Sequence, residues 1–202
     1  MADHRDAWTT SEFGTSHEGV VGVLLADGTV PEPVYFDIGS GPTIESSSHW
    51  SVYDGHRAGV PTAAALRGVC SCGWTGTEYP IDEDGVGSRE RPTAAVGLAG
   101  RCEADWDTHV ADLEASAIPV PETVTALLSR LTEEIERLAR SSPLAAVRAV
   151  RHMEIAAEDL GYWAARGVRQ DTPVAQVATA LKLDEHEARK LLARLGGWNP
   201  YF

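Results

Sequence analysis

The spacing of apolar residues changes along this chain, and each change marks a change of predicted structure. Val20-Val21-Gly22-Val23-Leu24-Leu25 and Val34-Tyr35-Phe36-Asp37-Ile38 are short β-prone runs, and the intervening Ala26-Asp27-Gly28-Thr29 carries turn chemistry. They predict strand, turn and strand, as a hairpin or meander. Gly39 to Ser48 reads as a Gly/Pro/Ser loop, His49 to Tyr53 as a short strand, and Ala64 to Cys70 as another. Residues 1 to 18 are polar with isolated Trp8 and Phe13, and read as a loosely held arm.

Past the charged connector Asp82 to Pro92 the period becomes helical. Ala94, Leu98, Cys102, Trp106, His109, Val110 and Leu113 recur at three- and four-residue steps, which places Trp106 and His109 one turn apart on a helix packed against the sheet. Ile118-Pro119-Val120-Pro121 breaks that pattern, and Val124, Leu127, Leu128, Leu131, Ile135 and Leu138 form the apolar face of a long helix. Ser141-Ser142-Pro143 opens a further helix. From Thr172 to Leu192 the apolar rhythm is that of a helix-turn-helix: Thr172 and Asp184 are candidate caps, Ala178 is small where the helices meet, and Val177, Leu181, Leu183, Ala188 and Leu191 are core candidates. The predicted class is α+β: a small antiparallel β domain with a zinc-knuckle-type site and a packed helix, followed by an all-α helix-turn-helix-like module. The predicted division is an arm (1–18), an acidic metal-binding domain (19–118), a connecting helix (119–140) and a helical domain (141–202).

Composition adds constraints. At 202 residues and 43% apolar content the chain can bury a real core. No apolar stretch reaches the roughly 18 residues of a membrane span, and Met1 to Asp6 lacks the apolar core of a signal peptide, so a cytoplasmic, membrane-free protein is expected. Net charge is −13, and it is unevenly spread: residues 1–140 carry 9 basic and 23 acidic side chains (net −14), residues 141–202 carry 8 and 7 (net +1). Nonspecific attraction to polyanions by the whole surface is thereby disfavoured.

Three cysteines, two of them one residue apart, do not make a disulfide framework. Cys70-Ser71-Cys72-Gly73-Trp74 offers two thiols converging from one face of an extended strand, with a glycine suited to a knuckle turn; His109 is the natural third ligand of a tetrahedral zinc. His49 is preferred as fourth, with His56 and Cys102 as alternatives, although Cys102 lies about 10 Å along the helix from His109 and reads better as a buried small hydrophobe. The competing readings make these residues ordinary core and strand positions, or a redox dithiol. No nucleophile–base or paired-carboxylate spacing is recognisable, so no catalytic residue is assigned; an open zinc position with Asp107 or Glu103 as base would be the hydrolytic variant.

The stretch from Trp50 to Pro121 resembles small actinobacterial proteins with a Cys-x-Cys-Gly-Trp knuckle and a downstream Trp-x-x-His helix, carried here by Cys70-Ser71-Cys72-Gly73-Trp74 and Trp106-Asp107-Thr108-His109. That resemblance implies metal binding and no known reaction. Leu144 to Leu195 resembles the terminal helix-turn-helix of sigma factors and actinobacterial regulators. It implies DNA as a partner through residues 171–195, with Arg189, Lys190, Arg194 and His186 as contacts. Against this, Lys182 stands at the turn position usually held by Gly, and Asp184-Glu185-His186-Glu187 would meet phosphates with carboxylates. The alternative partner is a protein, bound through the acidic domain or the Trp198–Phe202 tail, with a homodimer through residues 121–140 as a further possibility.

Overall fold

The computed structural model describes residues 7–37, 44–81 and 91–198 and divides into two compact units, Met1–Leu113 and Glu114–Phe202. Met1 to Asp6, residues 38–43 (with them half of the predicted Gly39–Ser48 loop), residues 82–90 of the charged connector and tail residues 199–202 lie outside the described residues.

In the first unit, β1 (Gly19–Leu24) pairs antiparallel with β4 (Ala65–Cys70), in a register that sets Gly19 against Cys70 and Val23 against Leu66. β5 (Tyr79–Pro80) adds to the other edge of β4. The Asp27-Gly28 turn forms, with Gly28 at φ +81°, yet it does not make a hairpin. β2 (Val34–Asp37) pairs instead with β3 (Ile44–Ser47), a strand where a loop was predicted. Pro31 and Pro33 precede β2, and neither has an N–H to donate to a ladder continuing from β1. The strand predicted at His49–Tyr53 is a 3-10 turn, Trp50–Tyr53, started by the His49 side chain accepting from Ser51 N.

Alternation along β4 buries Leu66, Gly68 and Cys70 on one face. The long helix α1 (Arg91–Ser116) contributes Ala95 and Cys102 to the same core as Val23, Tyr53, Ala63 and Leu66, and buries Trp106 and Val110 further along. Close approach is possible because β4 carries Gly68: a Cβ there would stand 2.8 Å from the Cys102 carbonyl oxygen. Cys102 is fully buried, as its reading as a small hydrophobe anticipated. The segment before β1 is no arm from Trp8 onward. Trp8 exchanges two backbone hydrogen bonds with Gly19, Phe13 is buried, and Gly14–His17 forms a 3-10 turn.

The second unit is helical: α2 (Glu122–Ser141), α3 (Pro143–Asp171), α4 (Val174–Leu181) and α5 (Glu185–Gly196). Ala165, Val177, Ala178, Ala188 and Leu192 form its core, with Leu181, Leu183, Leu195 and Trp198 packed around them. Gly161 makes room on α3 for the Leu195 side chain. Asp184 caps α5 by accepting from Glu187 N at 2.8 Å, as its position suggested; Thr172 instead closes α3, and Pro173 precedes α4. Lys182 ends α4 in the left-handed region, φ 56° and ψ 36°, donating its N–H to Ala178 and Thr179 carbonyls.

Candidate metal centre

β4 ends at Cys70, and the chain then turns tightly. Gly73 N donates to Cys70 O and Cys70 N to Trp74 O, with Gly73 at φ +92°, a conformation that favours glycine. Cys72 therefore sits within the turn. The two sulfurs are brought together by that reversal, and not by a shared face of an extended strand.

The partners of the knuckle come from two other segments. The antiparallel register sets the start of β1 beside the end of β4, so the residues just before β1 flank the turn. Ser71 fastens them: its N–H donates to Glu18 O, and its hydroxyl donates to Thr15 O and accepts from Glu18 N. His17 is thereby held with Nδ1 3.7 Å from Cys70 Sγ. From α1, His109 brings Nε2 to 3.5 Å from Cys72 Sγ. One turn earlier, the Asp105 carboxylate accepts from Thr77 N and Tyr79 OH, each at 3.0 Å, which ties α1 to the segment leaving the knuckle.

His17, Cys70, Cys72 and His109 present one ligand atom each, all within 4.8 Å of one another, so these four residues lie close enough to hold a metal ion. A four-coordinate ion with bonds of about 2.0 to 2.3 Å requires tetrahedral edges of about 3.6 Å. The two sulfur–nitrogen separations, 3.7 and 3.5 Å, match that edge. Burial raises the Cys72 thiol above its ordinary value, and the Cys70 sulfur adds to the rise. Burial likewise lowers His109, assisted by the neighbouring His17 ring. Both shifts favour neutral groups. The imidazole lone pair is therefore available, and metal entry displaces thiol protons.

Of the residues singled out from sequence, Cys70, Cys72 and His109 meet here. The fourth residue of the cluster is His17, and His49, the expected fourth ligand, is not part of it. His49 lies near the opposite end of β4: its 3-10 turn joins through Tyr53 O to Ala63 N, and the strand then covers about 3.3 Å per residue before reaching Cys70. Its Nδ1 stands 2.7 Å from Ser51 Oγ. His56 is exposed, and Cys102 belongs to the core with its thiol pushed up to about 11 by burial. Sequence reasoning missed His17 because residues 1–18 read as an arm. The available signal was its place three residues ahead of the strand predicted from Val20, informative once that strand is known to pair with the one ending at Cys70.

Among the residues predicted to touch DNA, Arg189 stands 3.8 Å from Glu185 and Lys190 2.7 Å from Glu187, both within α5. His186 and Arg194 are exposed. Within the described residues, no helix is long and apolar enough to cross a membrane. No protein-family model, curated protein or solved structure matches this chain.

Proposed function

We propose that this chain is a zinc-stabilised protein-interaction module, in which a structural zinc held by His17, Cys70, Cys72 and His109 clamps the first unit and the second unit supplies a helical docking face. The observation that carries the zinc reading is the donor set itself. Two thiols and two imidazoles gathered within 4.8 Å, with two sulfur–nitrogen separations at a tetrahedral edge, suit zinc, and four protein donors would fill the coordination of a structural site without an open position for water. Zinc bound there would cross-link three segments distant in sequence, so its binding free energy would appear as folding stability.

The interaction reading rests on α2 and the start of α3. Val124, Leu128, Leu131, Ile135 and Leu138 follow a four-three spacing along α2, none of its residues is buried, and Leu127, Leu128 and Leu144 are 64%, 54% and 86% exposed. An apolar seam of that spacing is suited to a partner helix, and a second copy of α2 is the simplest occupant.

The helix–turn–helix of α4 and α5 supports a second reading, transcription-associated DNA binding. It is the weaker one. Asp184, Glu185 and Glu187 balance Arg189, Lys190 and Arg194 to a net charge of zero, and two of the three cations are already paired.

Metal analysis and light scattering on the purified full chain test the proposal. One zinc per chain, reduced to below half an equivalent by His17→Ala or Cys72→Ser and unchanged by His49→Ala, supports the site. A dimer converted to monomer by Leu128→Glu with Leu131→Glu supports the seam. A metal-free monomer that binds duplex DNA with a steep salt dependence would replace this reading with the second.

A further inference from the structure

The second unit carries a concavity of about 370 Å³ between the end of α3 and the end of α5, lined by Tyr162, Arg166, Arg169, Gln170, Gly196 and Trp198. It is built by specific local choices. Gly197 adopts φ +68°, and Trp198 N donates back to Ala193 O, so the chain folds over the helix end. The indole then lies on Gly196, where any Cβ would overlap the ring. Arg169 places its guanidinium carbon 4.9 Å from the centre of that indole, and Arg166 donates to Tyr162 OH at 3.1 Å.

Arg166 and Arg169 are three residues apart on one helix, so they share a face. Among the described residues neither has a carboxylate partner, and none of the six lining residues is acidic. Without a carboxylate partner among the described residues, the two guanidiniums make this a local patch of positive charge. Resting on an indole, a guanidinium keeps its edge donors free, and those forks match oxyanions. Two forks suit a phosphate monoester, whose three terminal oxygens and nearly double negative charge match two guanidiniums better than the single charge and two oxygens of a carboxylate. The phenol and indole supply apolar walls for a planar body, and the volume falls within the range of small-ligand sites.

We infer that this concavity binds a phosphate monoester carried on an aromatic or heteroaromatic body, of mononucleotide size, with Arg166 and Arg169 holding the phosphate. This goes beyond the metal and docking readings and depends on neither.

Equilibrium dialysis of the full purified chain against AMP, adenosine and inorganic phosphate tests it. The expected result is one AMP per chain, bound at least tenfold more tightly than either adenosine or phosphate, with Arg166→Gln and Arg169→Gln each weakening AMP at least tenfold. Both side chains are exposed, and unchanged circular dichroism would verify that the variants fold. AMP no tighter than inorganic phosphate, or affinity within twofold of wild type in both variants, overturns the inference. So does binding of duplex DNA that both variants abolish while AMP fails to bind, which would assign these arginines to nucleic-acid phosphates.

Discussion

The indole of Trp74 lies parallel to the imidazole of His109, with ring centroids 4.5 Å apart and 6° between the planes. Trp74 is confined in turn by two glycines: a Cβ on Gly68 or Gly76 would come within 3.3 or 2.9 Å of the ring. The stack fixes the plane in which His109 presents Nε2 to the cluster. Supports of this kind typically govern metal affinity by 10- to 100-fold. Trp74→Ala should lower the affinity for zinc by about tenfold, and Trp74→Phe should retain most of it, measured by competition with a chromophoric chelator. Equal affinity in Trp74→Ala and wild type would show that the stack does not position the ligand.

Gly68 sets the distance between β4 and α1, because its missing side chain faces a backbone carbonyl that cannot swing aside. Gly68→Ala should destabilise the first unit by about 1 to 3 kcal/mol, the range for overpacking a close contact. It should weaken metal binding as well, since His109 rides on the displaced helix. Chemical denaturation with and without zinc measures both effects, and a variant as stable as wild type would contradict the contact.

Lys182 occupies a left-handed conformation that costs a side-chain-bearing residue about 1 kcal/mol and costs glycine little. Lys182→Gly should therefore raise the stability of the helical unit by about 0.5 to 1 kcal/mol, after allowing for the greater freedom of glycine in the unfolded chain. Lys182→Ala keeps the strained backbone and should show no such gain. Denaturant midpoints followed by far-ultraviolet circular dichroism distinguish the two, provided the slopes are unchanged.

Cys102 has a thiol raised to about 11 by burial, with the Asp105 carboxylate contributing. In the unfolded chain this thiol ionises near its ordinary value of 9.0, so between these pH values the folded state holds the proton more tightly. Stability from this group is complete below pH 9 and is lost as pH rises toward 11. Wild type should thus lose stability across that window more steeply than Cys102→Ala, even though the variant is less stable at neutral pH for lack of the buried sulfur. Denaturation curves collected from pH 8 to 10.5 provide the test; parallel pH profiles would rule out the contribution.

Local signals alone made much of this chain legible. Apolar residues at helical steps marked Cys102, Trp106 and Val110, which α1 buries, although Ala95 is buried near its start where Ala94 was named; Pro119 to Pro121 announced the start of α2, and the Asp184 carboxylate was recognisable as a cap because its partner lies only three residues away. Cys70, Cys72 and His109 could be grouped because a metal site constrains residue type, and the thiol pair and the Trp-x-x-His pattern each lie within a few residues. Only the tertiary structure decided which strands pair and which histidine completes the cluster. The Asp27-Gly28 turn is local and formed, but the partner of β1 is β4, more than forty residues away, and no property of Val20 to Leu24 distinguishes that partner from β2. His17 follows from that pairing: the antiparallel register brings the residues before β1 against the end of β4, whereas His49, nearer to Cys70 in sequence, is carried away by the length of the strand between them. The same distinction applies to α5, where charge composition was readable from sequence but the pairing of Arg189 and Lys190 with carboxylates one turn away depended on the side-chain geometry of the folded helix.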